Sequence, residues 1–469
     1  MKKTAIIYGE LKNDIQKRAL EELSAILLDY TFEYPICIQY REDMNVEGFR
    51  HIYIGTKESN PYIMRASDAC LTSPESYSIS VKDDTVMIEG YDDAGVLYGV
   101  LDFYNKYIIK FEHSTIRATN EDWDNPWEKE TLPEFECTSA PSVKERGLWT
   151  WGHVIYDYRG YLHNMMKLKM NGVIIWNDFV PTNVKEIVAY AHSCNIKVYW
   201  GFNWLWDTDC ARFNIGNLEG EAERIFRNYE EQYANSDGDG IYFQTFTERK
   251  IDNIDGVLIA EAAAKFVNQT SALFFEKYPN LEIQFGLHAT SVKNRLEFIR
   301  SVDPRIRIVW EDCGAFPFSY LPTELDGFDE TKELIGKIAN LRGEGDRFGV
   351  VTKGTVTLDW SKFKHLVGSQ CIGVSSEYMR RNHINRRARQ WRYIQTCWIA
   401  NADRAIDMIG QMCLSKNGDL SIFALVEDGM FEENIMYPVA LYSEMLWNCN
   451  EDLKEMMKAV ALRHYVSFV

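Results

Sequence analysis

The sequence predicts a (β/α)8 barrel preceded by a small α+β domain. Three observations carry that expectation. Beyond residue 140, eight β-like runs alternate with helical segments. Several of those runs are apolar without in-out alternation, as strands covered on both faces must be. The stretch involved is roughly 300 residues, the size of one such barrel with insertions.

In the first 118 residues, apolar runs at 4–8, 34–40 and 51–55 read as strands and 19–29 as a helix. A hairpin joins 77–81 to 85–89 across the polar turn Lys82-Asp83-Asp84. Val96, Leu97, Val100, Leu101 and Tyr104 recur at helical spacing within 92–105. Residues 119–140, charged and carrying Pro126 and Pro133, read as a linker, which leaves 141–469 for the barrel and its C-terminal helices.

The barrel strands are predicted at 147–151, 172–176, 197–202, 240–246, 281–287, 306–310, 348–356 and 421–426, with helices such as 185–193, 257–275 and 386–408 between them. A doubly wound open sheet is the competing architecture, but it would carry a Gly-rich phosphate turn after its first strand, and neither that turn nor a Walker-type loop occurs. Dinucleotide and ATP chemistry lose their main signal with it, and no cofactor is expected.

Composition narrows the partners. The 469 residues hold 51 Lys+Arg against 69 Asp+Glu, a formal net charge of −18, which repels a phosphate backbone or an anionic bilayer. Neither nucleic acid nor a membrane is expected as a partner; nothing in the sequence fixes an oligomeric state. No run approaches the length of a transmembrane helix. The start, MKKTAIIYGE, reads as a strand rather than a leader, and the ten cysteines lack C-x-x-C spacing and read as free core thiols, so a cytoplasmic protein acting on short oligosaccharides is expected. His153, His163 and His288 form neither H-x-H nor H-E-x-x-H, so no metal site is expected, and a G-x-S-x-G elbow is absent. The arginine-rich run 379–389 reads as an ion-pairing face.

Catalytic groups of a barrel sit at the C-terminal ends of its strands. Seven of the thirteen tryptophans gather there, at 149, 151, 176, 204, 206, 310 and 360. Indole faces stack on the C–H faces of sugar rings, although large aromatics also fill any barrel mouth. Glu248 closes the otherwise uncharged strand IYFQTFTE, and Glu311 follows the largely apolar IRIVW. A carboxylate pair across a cleft is what glycosidic cleavage requires: one acid for the leaving oxygen, one anion as nucleophile or base. Each could instead cap the next helix. Asp312 and Glu427 are further acidic candidates, and Asn177, His288 and Lys353 are polar groups at strand ends.

Three segments resemble a known group. The stretch YSISVKDDTVMIEGYDDAGVLYGVLDFYNKYI is similar to the end of the small domain that precedes the barrel in β-hexosaminidases of glycoside hydrolase family 20 and α-glucuronidases of family 67. ERGLWTWGHVIYDYRGYLHNMMKLKMNGVIIWND resembles their first strand, helix and second strand, and ALVEDGMFEENIMYPVALYSEMLWN the end of the hexosaminidase barrel. The resemblance implies a sugar-hydroxyl contact for Arg146 and the general-acid role for Glu248. Hexosaminidases place an Asp before that Glu to orient the acetamido group, whereas this sequence has Thr247. A mechanism with a separate second carboxylate, as the glucuronidase resemblance implies, is then preferred, and Glu311 is the choice.

The expectation is therefore a glycoside hydrolase. A buried Glu248 protonates the leaving oxygen and an ionised Glu311 acts from the other face. Trp149, Trp151, Trp204, Trp206 and Trp360 form the ring platform, and Arg146, Asn177, His288, Asp312, Lys353 and Glu427 contact hydroxyls, with Lys353 suited to a sugar carboxylate. The alternative is a non-catalytic carbohydrate-binding or sensing barrel.

Overall fold

The computed structural model describes residues 2–109, 127, 129–206, 214–249, 251–288, 291–312, 314–319, 327–343, 345–355, 366–415, 419–426 and 431–469, with only the backbone at 383–385. The chain divides into two compact units. One comprises Met1–Pro141 with His192–Asn195 and Met457–His464; the other comprises Ser142–Ala191, Ile196–Met456 and Tyr465–Val469.

The first unit is built on a six-stranded sheet in the order Ile36–Gln39, Lys3–Tyr8, Phe49–Gly55, Thr85–Gly90, Tyr77–Lys82, Phe135–Ser139. Helices Asp14–Thr31 and Asp93–Asp102 start at side-chain caps, Asn13 accepting from Gln16 N and Asp92 from Gly95 N. The hairpin forms where its turn predicts it. Asp83 and Asp84 both take positive φ, 48° and 62°, the left-handed pair that matches the twist of the two strands. The boundary needs correction: Phe135–Ser139, expected in the linker, is an edge strand antiparallel to Tyr77–Lys82. Residues 119–126 and 128 of that linker lie outside the described residues.

The second unit is a closed barrel of eight parallel strands paired in sequence order: Glu145–Trp151, Gly172–Trp176, Lys197–Asn203, Gly240–Gln244, Glu282–Leu287, Arg307–Glu311, Phe348–Thr352 and Leu420–Leu425. The last pairs with the first, Ser421 opposite Glu145. These are the eight strands the sequence predicts. Side chains from seven of the eight fill the interior, among them Trp149, Ile174, Tyr199, Tyr242, Val309, Val351 and Phe423. At the N-terminal end, Arg307 is held by Asp419 at 2.9 Å and Glu145 at 3.8 Å, a buried ion network that closes the bottom.

Close packing at the floor demands glycine. A Cβ on Gly147 would fall 1.7 Å from the Gly172 carbonyl oxygen and 2.8 Å from the Phe423 ring. Gly147→Ala must therefore push two neighbouring strands apart. A loss of about 3 kcal/mol or more is expected in urea unfolding, where a neutral result would contradict this packing.

The helical layer covers the outer faces. Helix Glu377–Ser415 extends beyond the expected 386–408 and is interrupted at Asn401, whose φ of −128° is not helical. Among the described residues no helix is long and apolar enough to cross a membrane. The eight described cysteines are free, but Cys37, Cys70 and Cys371 are exposed, so the reading of all ten as core thiols does not hold.

Candidate active site

The C-terminal mouth of the barrel converges on Glu311, the last residue of the sixth strand. Its carboxylate is buried, and each oxygen has two donors. Oε2 lies 2.8 Å from Lys353 Nζ and 3.0 Å from His288 Nε2. Oε1 accepts from the Tyr242 hydroxyl and from Gln244 Nε2. Strand geometry explains the convergence, because Tyr242 and Gln244 stand two apart on one face of the fourth strand. Gly286 on the fifth strand leaves room for the pair: a Cβ there would meet the Tyr242 hydroxyl at 2.2 Å and Glu311 Oε1 at 2.8 Å.

Electrostatics follow from this arrangement. Burial alone would raise the Glu311 pKa, but the His288 and Lys353 charges outweigh it and hold the carboxyl well below the usual range. Burial alone would lower His288; the Glu311 and Glu248 carboxylates reverse that and raise it, against the opposing charge of Lys353. Burial, then the Glu311 charge, keep the Tyr242 phenol well above its ordinary value, so it donates as a neutral hydroxyl.

Glu248 also approaches His288, its Oε2 4.0 Å from the same Nε2 that faces Glu311. Its side chain is 47% exposed, not buried as the sequence reading expects, because it lies four residues beyond the fourth strand rather than within it. Its Oε2 accepts from the indole N–H of Trp206. The two carboxylates thus approach one imidazole nitrogen from contrasting settings, one sealed among cations and one facing solvent.

The tryptophans are only partly where a sugar platform needs them. Trp149, Trp151, Trp176 and Trp206 form one cluster, with Trp206 5.9 Å from Trp176 and 6.3 Å from Trp151 between ring centroids. Trp149, Trp151 and Trp176 are buried and form the floor; Trp206 is the member with open surface. Trp204 does not face the mouth. It stacks on Phe243 at 3.6 Å and on Phe274 of helix Ile259–Lys277, in the outer layer, because it is anchored beside the alternate face of the strand.

Four polar candidates are likewise engaged with the protein itself. Arg146, one residue out of phase with Trp149 and Trp151, points outward at the barrel's N-terminal end, where it donates to the carbonyls of Val143 and Lys169 and lies 5.1 Å over Trp447. Asp312 is completely buried and accepts from the backbone N–H groups of Gly314, Phe316 and Lys353. Burial pushes its pKa up to about 6 despite those donors, and its work is to brace two loops. Lys353 is paired with Glu311, so its charge is not free for a sugar carboxylate. Asn177 is buried and donates to the Phe179 carbonyl, ordering the loop after the second strand. Trp360 and Glu427 lie outside the described residues. Among the described residues no group of three His, Cys, Asp or Glu side chains is placed to hold a metal ion.

Tyr242 and Gln244 are site residues that the sequence reading left out, and Trp176, counted among the strand-end tryptophans but not in the ring platform, joins the cluster. Their signal was weak, since strands covered on both faces show no alternation to mark which side chains point inward.

No family model and no curated protein matches the chain. Solved structures do share its fold. A family GH138 enzyme targeting pectin rhamnogalacturonan II aligns with TM-score 0.54 and 12% identity over 96% of this chain. A family GH115 4-O-methyl-α-glucuronidase with specificity for decorated arabinogalactans aligns at 0.55 and 13% over 98%. A chitobiase of Flavobacterium johnsoniae, family GH20, aligns at 0.58 and 10% over 98%, and 68% of that chain is matched. The chain spans 64% and 59% of the first two. Family 20, named above by resemblance, is represented among these folds; family 67 gains no support from them. The likeness establishes a barrel architecture that glycoside hydrolases use.

Proposed function

We propose that the protein is a glycoside hydrolase in which Glu248 is the general acid and Glu311 the nucleophile. One observation carries the reading: two carboxylates in contrasting environments approach one imidazole nitrogen at the barrel mouth. A pair of acids whose surroundings differ this much divides acid and anion roles between its members. The sealed, cation-held Glu311 supplies a permanent anion, and the solvent-facing Glu248 stands where a leaving group can reach it.

The separation admits the two-step route. With His288 Nε2 3.0 Å from one oxygen and 4.0 Å from the other, the facing oxygens lie at most about 7 Å apart, and closer unless the three atoms are in line, against about 5–5.5 Å for retaining and about 6.5–9.5 Å for inverting enzymes. Glu311 attacks the anomeric carbon as Glu248 protonates the leaving oxygen; Glu248 then takes a proton from the water that releases the sugar. For Glu311 to attack, one of its four acceptor positions must open. Lys353 is the donor best placed to leave, since its side chain is 11% exposed, and it turns to a sugar hydroxyl.

The same saturation of Glu311 favours a second reading, a carbohydrate-binding barrel whose carboxylate only braces the mouth. The test is a panel of nitrophenyl hexosaminides and uronides of both anomers, with ¹H NMR of the first product formed. Release of a sugar with net retention is expected; binding of sugars without release from any of them would establish the second reading.

A further inference from the structure

We propose that Trp206 is a positioning residue for Glu248, held over the mouth by a strained turn. The inference rests on the glycosidase reading above and adds to it the group that aims the acid.

The turn after the third strand is built for this. Trp204 anchors it, fully buried and stacked 3.6 Å from Phe243, with its backbone N–H bonded to the Gln244 carbonyl. Leu205 then takes φ +70°, a left-handed conformation in which a branched side chain is disfavoured, and it does so while buried. Asn203 closes the turn, its Oδ1 accepting from Trp206 N at 2.6 Å. These three features reverse the chain, so that Trp204 points into the outer layer and Trp206, two residues on, lies against Trp151 and Trp176 inside the barrel. From there its indole N–H reaches Glu248 Oε2.

The consequence is chemical. Glu248 stands beyond the end of its strand and is half exposed, so the strand alone does not fix its rotamer. Trp206 restricts it by occupying Oε2, which leaves Oε1, with no partner among the described residues, as the oxygen that carries the proton to the leaving group. Placing a proton donor within hydrogen-bond reach of the departing oxygen is worth orders of magnitude, and a displacement of about 1 Å can cost about 10²-fold.

Trp206→Phe keeps an aromatic ring against Trp151 and Trp176 and deletes the N–H together with the pyrrole part of the indole. The expected result is a kcat about 10²-fold lower on alkyl glycosides, which need full protonation of the leaving group, with KM within a few-fold. Dinitrophenyl glycosides, whose leaving group needs little acid, should lose less than about threefold in the rate of the first turnover, before Glu248 acts as base. In a Glu248→Gln background the same substitution should add little. An equal loss on both substrate types, or full multiplication of the two effects, would mean that Trp206 serves packing alone and would overturn the proposal.

A second measurement does not depend on turnover. In ¹⁵N-indole TROSY spectra, with Trp206→Phe assigning the peak, the Trp206 N–H resonance should move upfield in Glu248→Ala; an unmoved resonance removes the contact and the proposal with it. A moved resonance in a protein that hydrolyses nothing would instead refute the glycosidase reading and leave the contact standing.

Discussion

Glu311→Gln is expected to abolish turnover and to destabilise the barrel by about 3–5 kcal/mol, the usual cost of removing one partner from a buried ion pair. The neutral amide still accepts from Tyr242 or Gln244, but it presents an N–H₂ group where His288 and Lys353 also donate, and the Lys353 charge loses its 2.8 Å carboxylate partner. The pH dependence separates this from a simple packing defect. The folded pKa of Glu311 is depressed below 4.5, so its contribution is complete above that value and is lost as pH falls through the folded one. The folded pKa of His288 is raised above 6.5, so its contribution is complete below that value and is lost as pH rises through the folded one. The stability difference between wild type and Glu311→Gln should therefore be widest between pH 4.5 and 6.5 and narrow on both sides. Urea midpoints across that range measure it; a gap independent of pH would mean the carboxylate is not held by these cations.

Glu248→Gln should behave oppositely. Its side chain is half exposed and carries no buried charge network, so melting should change by less than about 1 kcal/mol, as at other surface positions. Turnover of glycosides with poor leaving groups should fall about 10²–10⁴-fold, the contribution of a positioned general acid. Sugar affinity, measured by calorimetry on the variant, should stay within a few-fold of wild type. A variant that loses binding along with turnover would place Glu248 in substrate recognition instead.

Much of the architecture was legible because barrel strands announce themselves as short apolar runs at regular intervals. Gly172–Trp176 and Gly240–Gln244 could hardly be anything else in an alternating β/α series. The strand ends were legible for the same reason, which is how Glu311, His288 and Lys353, three residues far apart in sequence, were all named before being found in contact. What could not be read was phase. Arg146 and Trp149 sit three apart on one strand and so face opposite sides of the wall, and Trp204 and Trp206 sit two apart yet separate because Leu205 turns the chain at positive φ. No pattern of hydrophobicity marks either event. Asp312 was misjudged for a related reason: its neighbour Glu311 points inward, so Asp312 must point away, where three backbone N–H groups claim it. The partition of charge was invisible too, since a lysine at a strand end looks available for a substrate until its partner is known.

The division of labour between the two carboxylates is the central claim, and leaving-group dependence tests it most directly. Initial rates of wild type, Glu248→Gln and Glu311→Gln should be compared on dinitrophenyl and alkyl glycosides of whichever sugar the panel identifies. Glu248→Gln is predicted to retain hydrolysis of the dinitrophenyl substrate, at least through its first turnover, and to lose the alkyl one, while Glu311→Gln loses both. Equal losses from the two variants on both substrates, or rates that neither substitution changes, would contradict the assignment.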